Sequence, residues 1–480
     1  MTQKKERLID VLAAHGIRTL FRDASGQHLF YSEVLQLGRH AAFTHTRRRL
    51  VFCLTDNDLN GLAGYLSLLL ADAVPLMLAP NVPAEQLRNL LEDYRPSHLW
   101  LPALRCDEFK NANPVFTHGD YALLDMGNPD LEIHDDLALL LGTSGSTGSP
   151  KFVRLSHGNI LSNARSIADY LGLSADDVPI TTLPPSYTYG LSIIHSHILV
   201  GASIAVTNTT FFDRIFWDFL RTAKATSFSG VPYHYEILKK LRFTRMDLPH
   251  LRTLTQAGGR MEPDLTLEYA KHCANRGMRF FTMYGQAEAT ARMSYLPPDK
   301  AIRKAGSIGT AIPGGRFWLE DETGHEIDQD DMPGELVYAG PNVSMGYAVG
   351  YKDLARGDEH QGVLRTGDLA KRDAEGDYYI VGRLKRFIKL FGRRTNLLDV
   401  EKLLLDAGYV VACSGRDDCL EIYVRQPTVD QAKNIKKQVM DHLQVTVKGV
   451  AVYGIEDLPR NDSGKIQYAE LTPRIGTLLA

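Results

Sequence analysis

Residues 140–153 read Leu-Leu-Gly-Thr-Ser-Gly-Ser-Thr-Gly-Ser-Pro-Lys-Phe-Val. Within them Thr143, Ser144, Gly145, Ser146 and Thr147 form a run of hydroxyls and glycines, closed by Gly148 and followed by Lys151. Glycine lets the backbone come close to a ligand, and successive amide N–H groups beside hydroxyls can surround phosphate oxygens. An apolar run, Leu137 to Leu141, enters the segment, and a helix start, Ser156 to Leu161, leaves it. This reads as strand, loop and helix, a setting in which a bound polyphosphate is physically sensible. The common P-loop pattern is Gly-x-x-x-x-Gly-Lys-Ser/Thr. Counted from Gly145, its second glycine falls on Pro150, and Phe152 stands where the hydroxyl belongs. Taken alone, the segment reads equally well as a flexible surface loop.

The chain has 480 residues, beyond the size at which a single hydrophobic core stops growing, so two or more domains are expected. It is 44% hydrophobic and 23% charged with a net charge of −3, an ordinary composition for a soluble globular enzyme. No basic excess points to nucleic acid. Met1 to Asp10 lacks the apolar centre of a signal peptide. The most apolar stretch, Leu62 to Pro80, is interrupted by Asp72 and Pro75 and reads as a buried helix followed by a strand, not as a membrane span. The five cysteines show no metal-like or redox spacing, Cys413 and Cys419 being the closest pair. A reducing, cytoplasmic location is the expectation.

Short apolar runs alternate with helical patterns. Val51 to Leu54 precedes a helix from Leu59 to Ala71; Val74 to Leu78 precedes one from Ala84 to Tyr94; His98 to Leu101 is a strand. This βαβ rhythm predicts an α/β fold with parallel sheets flanked by helices. From Ile302 to Val381 glycine and proline punctuate short strands such as Gly334 to Ala339 and Tyr378 to Val381, a small β section. After Gly382 the basic segment Arg383 to Arg394 leads into a helix (Leu398 to Asp406), a strand (Leu420 to Val424), a helix (Val429 to Leu443) and a strand (Val450 to Tyr453). The expectation is a large N-terminal domain, 1–382, and a small α+β C-terminal domain, 383–480.

Four further segments stand out: Gln-Ala-Gly-Gly-Arg-Met at 256–261, Met-Tyr-Gly-Gln-Ala-Glu-Ala-Thr at 283–290, Leu-Arg-Thr-Gly-Asp-Leu at 364–369 and Leu-Pro-Arg-Asn-Asp-Ser-Gly-Lys-Ile at 458–466. With the hydroxyl-rich loop and Gly382-Arg383, their order and spacing resemble the adenylate-forming (AMP-binding) superfamily of acyl-CoA synthetases, adenylation domains and luciferases. Stand-alone acyl and aryl acid ligases are the nearest type, and the resemblance spans nearly the whole chain. It implies a two-step reaction with ATP and Mg²⁺: a carboxylate attacks the α-phosphate to give an acyl-adenylate and pyrophosphate, then a phosphopantetheine thiol displaces AMP. It also implies a mobile C-terminal domain that reorients between the steps.

Carried onto this sequence, the resemblance gives Thr143 to Gly148 and Lys151 the β- and γ-phosphates. Ala257, Gly258 and Gly259 would leave a flat slot for adenine, with Tyr284 stacking on the ring and Gly285 and Gln286 beside it. Glu288 would ligate Mg²⁺, a hard cation suited to carboxylate and phosphate oxygen. Asp368 would accept the ribose hydroxyls with two acceptor oxygens, and Arg383 would contact ribose or phosphate. Lys465 would be the principal catalytic side chain, its ammonium offsetting charge that builds as the carboxylate attacks. Lys385 would be the hinge, and Gly392 would line the thiol tunnel. Each alone has a plainer reading: Tyr284 a core aromatic, Glu288 and Lys465 surface charges, Asp368 a turn residue, Arg383 a linker charge.

Two positions depart from the family pattern. Phe152 replaces the usual glycine after the loop lysine, and Ala287 replaces the usual Thr before Glu288. Residues 183–197 match the segment bordering the acid pocket, with Tyr187, Thr188, Tyr189 and Gly190 in it and Ser229, Gly230 and Val231 lining the same space. His195 and His197 read as core or surface histidines. Relatives that activate amino acids carry an Asp near Thr188 or Gly190, and a buried ammonium without a partner is costly, which argues for a non-amino carboxylic acid. The acceptor remains a choice between acyl carrier protein and coenzyme A, with the basic stretch Arg383 to Arg394 suited to an acidic carrier. Competing readings are an amide-forming adenylate ligase, a non-catalytic nucleotide-binding regulatory protein, which has no need of Lys465, and a luciferase-like oxygenase. The acid's identity and the oligomeric state are not encoded in any motif.

Overall fold

The structure is a computed structural model that describes residues 6–110, 112–142, 151–390, 393–443, 449–460 and 466–480, with only the backbone described for 385, 387, 393, 394 and 469. The expected loop residues Thr143 to Gly148, together with Gly392 and Lys465, lie outside the described residues. The chain forms two compact units: the first holds most of residues 1–364, and the second holds 318–336 and 365–480.

The first unit contains two large mixed sheets. In one, Val74–Leu78, Leu50–Leu54 and His98–Pro102 run parallel beside Leu137–Gly142, with antiparallel strands added at both edges. The residues of Leu50–Leu54 and Val74–Leu78 are buried on both faces, as expected of unbroken apolar runs in parallel sheets. The helix Leu59–Leu70 starts at Asp58, whose carboxylate accepts from Gly61 N at 2.7 Å. It packs so closely on the sheet that a Cβ at Gly64 would sit 2.0 Å from the Trp100 indole. That approach requires glycine. The helix Ala84–Tyr94 and the strand Val74–Leu78 have the bounds expected from sequence.

In the other sheet, Ser227–Gly230, Thr253–Gln256 and Arg279–Tyr284 run parallel and in register. Their neighbouring loops and helices carry the expected adenine and acid residues, in keeping with ligands gathering at the ends of parallel strands. The buried cluster on one side of this sheet includes Ile167, Tyr189, Val231, Ala257, Phe281 and Met283.

One local expectation needs correction. Among the described residues, the element after Leu137–Gly142 is a strand and not a helix. Phe152–Ser156 is a buried strand that pairs antiparallel with Leu137–Gly142, Gly142 facing Phe152. Only after it does the helix His157–Leu171 begin, with Ser156 Oγ accepting from Asn159 N at 3.1 Å. The helix N-terminus therefore lies beyond a strand that pairs with Leu137–Gly142.

The second unit holds Tyr378–Arg383 and, from Arg365 on, its partner strand Val363–Arg372, Tyr378–Arg383 running through the expected boundary at 382/383. After them come the antiparallel strand pair Phe387–Leu390 and Arg393–Asn396, the helices Leu397–Asp406 and Val429–Leu443, and a sheet built on Val411–Arg416, Cys419–Arg425 and Val450–Ile455. Val400, Leu404, Ile422, Ile435, Val439 and Val452 form its core. The helix Val429–Leu443 agrees with the sequence reading to the residue.

Candidate active site

Asn159, in the first turn of its helix, donates to the carbonyls of Pro341 and Val343 at 2.8 and 2.7 Å. Ser344 N donates to the Glu288 carbonyl at 2.9 Å, Thr290 Oγ1 to Asn342 O at 2.6 Å, and Asn342 Nδ2 to Ala289 O at 2.9 Å. Two stretches far apart in sequence, 287–290 and 341–345, are thereby stitched together. Arg154, fully buried on the strand after the loop, completes the clamp. Its guanidinium donates to Met345 O at 2.8 Å and Tyr347 O at 3.1 Å and pairs with Glu359 at 2.7 Å.

This framework delivers Tyr347 between two of the expected charged residues. Its hydroxyl donates to Glu288 Oε1 at 2.7 Å, and Lys151 Nζ lies 3.7 Å from the centroid of its ring. Burial, and then the adjacent Glu288 charge, push the Tyr347 hydroxyl well above its ordinary pKa, so it remains a donor at neutral pH. Glu288 has a second carboxylate oxygen for a cation. No group of three or more His, Cys, Asp or Glu side chains able to hold a metal occurs among the described residues. One carboxylate completed by phosphate and water is a fitting donor set for Mg²⁺.

The residues expected to hold adenine and the acid also converge. A Cβ on Gly258, whose φ is +82°, would lie 2.4 Å from Tyr187 Oη and 3.1 Å from Val231 Cγ1. The expected adenine slot and acid pocket therefore share a wall. Ala257 N donates to Gly230 O at 3.2 Å, and Gly259 faces Pro232. Tyr189 Oη, Thr255 Oγ1 and Ser229 Oγ form a hydrogen-bonded chain, each link 2.8 Å. Gly190 lets its helix lie against the carbonyls of Leu183 and Pro184, and Thr188 Oγ1 is buried without a partner. Tyr284 is half-buried near Phe317 and accepts from Gln286 Nε2 at 3.1 Å, while Gly285 lies against the Ala291 backbone. His195 and His197 are core residues: His195 Nε2 meets Tyr65 Oη at 2.8 Å, and His197 Nδ1 meets Ile193 O at 2.8 Å.

In the second unit Asp368 and Arg383 face each other across paired strands, Arg383 Nε donating to Asp368 Oδ1 at 2.5 Å. Lys385 lies in the single 3₁₀ turn that follows, Leu384–Arg386. Arg386 pairs with the half-buried Glu401 at 2.6 Å, its guanidinium lies 3.7 Å over the Tyr468 ring, and Tyr468 Oη donates to Glu401 at 3.3 Å. Residues flanking the expected hinge and the expected catalytic lysine are thus held by one network.

The family of AMP-binding enzymes matches residues 30–348. The chain belongs to that family, and with it to the adenylate-forming superfamily. This AMP-binding enzyme is 29% identical to an oxalate–CoA ligase of Arabidopsis thaliana, over 69% of its own length and 66% of that protein's. It is 28% identical to a feruloyl-CoA synthase of an Amycolatopsis species, over 75% of its length and 74% of the relative's. Its fold superposes on o-succinylbenzoate coenzyme A synthetase from Bacillus subtilis in complex with AMP, with a TM-score of 0.76 and 98% of each chain covered at 21% identity. That last likeness concerns the fold. No helix among the described residues is long and apolar enough to cross a membrane.

Sequence reasoning missed Tyr347 and Arg154. Tyr347 is one of 21 tyrosines, and nothing local distinguishes it. Arg154 lies in an apolar run where a buried charge is unexpected, and that oddity was the available signal.

Proposed function

We infer that the chain is an AMP-forming ligase that activates a non-amino carboxylic acid with ATP and passes the acyl group to a phosphopantetheine thiol. The observation that carries this reading is the cluster of Lys151, Tyr347 and Glu288, which pairs a cation for phosphate with a carboxylate for Mg²⁺. In the first step a carboxylate oxygen bonds to the α-phosphorus, the α–β bridging P–O bond breaks, and pyrophosphate leaves. In the second a thiol gives up its proton to solvent as its sulfur bonds to the acyl carbon, the acyl C–O bond to AMP breaks, and AMP leaves with that electron pair. Bound Mg²⁺ would neutralise phosphate charge, and Glu288 is the residue to hold it.

Lys151 and the loop residues Thr143 to Gly148 hold the terminal phosphates. Gly258, with Ala257 and Gly259, keeps the adenine slot free of side chains, and Tyr284, Gly285 and Gln286 border it. Asp368 takes the ribose hydroxyls, oriented by Arg383. Lys465 balances charge as the carboxylate attacks, and Lys385 is the hinge of a C-terminal domain that begins at 383. Tyr187, Thr188, Tyr189, Gly190, Ser229, Gly230 and Val231 enclose the acid. None of them is anionic, which supports an acid without an ammonium group. Names of relatives range from oxalate to feruloyl ligases, so relatedness leaves the acid open, while their shared acceptor supports coenzyme A over a carrier protein. Five free cysteines suit a reducing cytoplasm.

The deciding experiment is acid-dependent ATP–pyrophosphate exchange over fatty, aryl, hydroxy and dicarboxylic acids and D- and L-amino acids. Coenzyme A and acyl carrier protein are then compared as acceptors. Exchange with one class supports the reading. Silence across the panel, with ATP still bound, moves the weight to a non-catalytic nucleotide-binding protein.

A further inference from the structure

Two arginines of the first unit are almost wholly buried, and the fold treats them differently. Arg154, 0% exposed, is paired with Glu359 and donates to backbone carbonyls. Arg292, 2% exposed, has no carboxylate partner among the described residues. Its Nη1 donates to Tyr170 Oη at 3.2 Å and approaches Met283 Sδ at 3.6 Å. Its guanidinium carbon stands 4.9 Å from the Tyr189 ring centroid, and its Nε is buried without an acceptor. A guanidinium does not shed its proton, so a buried one without a counter-charge is an expensive feature to keep. Its place is fixed from behind, because its backbone carbonyl accepts from Asn163 and Asn342 at 2.9 and 3.2 Å.

Of the side chains around Arg292, Tyr189 belongs to the candidate acid pocket, and Met283 and Tyr170 pack in the same buried cluster as Tyr189 and Val231. Tyr189 is bound through Thr255 to Ser229, and Met283 shares a buried cluster with Val231 and Ala257. Tyr170, at the edge of that cluster, stacks on Tyr295 with centroids 4.3 Å apart. None of its side-chain partners is Lys151, Tyr347 or Glu288. The reacting carboxylate must remain free to attack phosphorus, and a guanidinium fork binding both its oxygens would withdraw the nucleophile. An anion for Arg292 therefore has to come from another part of the acid.

We propose that Arg292 is a specificity-determining residue that binds a second carboxylate of the substrate, making this a ligase for dicarboxylic acids. The proposal rests on the adenylation reading above. It predicts an acid with an apolar or aromatic spacer, matched to the tyrosine-rich walls, and a distal carboxylate engaged by Arg292.

The test is ATP–pyrophosphate exchange with acids paired on one skeleton: succinate against butyrate, adipate against hexanoate, and phthalate and isophthalate against benzoate. The wild-type protein should prefer the diacid of its best pair by roughly 10²-fold in kcat/KM, the scale for an unpaired buried charge. In Arg292→Gln that preference should collapse, mainly through KM for the diacid, while the matched monoacid is used as well as before or better. Arg292→Lys should retain part of the preference. A wild-type preference for monoacids would overturn the proposal and leave adenylation intact. Equal loss on both members of a pair in Arg292→Gln would also overturn it, by showing a structural role. Exchange with no acid at all would instead overturn the adenylation reading, and the dicarboxylate proposal with it. The wild-type comparison needs no variant, so it decides even if Arg292→Gln does not fold.

Discussion

Tyr347 donates its hydroxyl to Glu288 Oε1 at 2.7 Å, across 59 residues of sequence. That bond holds one oxygen of the carboxylate, the other being the one proposed to take Mg²⁺, while the same ring lies under the Lys151 ammonium. Tyr347→Phe keeps the ring and removes only the donor. A hydrogen bond to a charged group contributes about 1.5–3 kcal/mol, so adenylation kcat/KM is expected to fall roughly 10- to 100-fold. The Mg²⁺ concentration for half-maximal rate should rise. Tyr347→Leu, which also removes the cation–π contact, should raise KM for ATP further. Unchanged Mg²⁺ dependence in Tyr347→Phe would separate Glu288 from the metal.

Gly258 and Tyr187 test whether the adenine slot and acid pocket share a wall. A methyl at Gly258 would meet Tyr187 Oη at 2.4 Å and would need a left-handed backbone. That conformation alone costs an L residue about 1–2 kcal/mol. Gly258→Ala is expected to lower kcat/KM by roughly 10-fold or more. Adding Tyr187→Phe removes the clashing oxygen and should restore part of the loss, with the backbone strain remaining. Strictly additive effects in the double-mutant cycle would mean that the two residues do not touch in solution.

Parallel strands and amphipathic helices were legible because burial on both faces, or on one stripe, writes a period into the sequence. Val74–Leu78, Ala84–Tyr94 and Val429–Leu443 follow those periods to the residue. The strand Phe152–Ser156 was not, since it is short and carries Arg154, whose charge reads as exposed until Glu359 and three carbonyl acceptors are brought to it. The site shows the same division. Glu288, Gly258 and Asp368 sit in compact local motifs, whereas Tyr347 and Arg292 gain their meaning from partners that only the fold supplies. A cross-strand or cross-loop neighbour leaves no spacing to read.

The buried histidines make a prediction about pH. Burial lowers His195 to about 3 and His197 to about 4, against about 6.5 in an unfolded chain. Between those values the unfolded chain binds more protons, so the stability these residues allow is present above pH 6.5 and is lost as pH falls. Each contributes a slope of about 1.4 kcal/mol per pH unit. Asp58, raised to about 6 by burial, titrates with the opposite sign and offsets one histidine between its ordinary value and pH 6. Urea unfolding of the wild-type protein should therefore lose stability from pH 6.5 to 5. In His195→Gln, which keeps a polar partner for Tyr65, the slope should be shallower by one proton. An identical slope would mean that His195 is accessible to protons in the folded state.

The two half-reactions should come apart at Lys385 and Lys465. Lys385 occupies a single 3₁₀ turn between the strand ending at Arg383 and the Arg386–Glu401–Tyr468 network. Proline there fixes φ and restricts the residue before it, so one of two required backbone states is lost while side-chain chemistry elsewhere is untouched. Lys385→Pro is expected to retain adenylation, measured as pyrophosphate exchange, and to lose thioester formation from the preformed acyl-adenylate. Lys385→Ala, which removes the side chain and leaves φ free, should keep both. Lys465→Ala should do the reverse of the proline variant, cutting adenylation by roughly 10²–10³-fold or more, the scale for one preorganised electrostatic donor, while thioester formation from supplied adenylate is largely retained. Parallel loss of both half-reactions in Lys385→Pro, with an unchanged Tm, would place the residue in the chemistry common to both steps and remove it as a hinge.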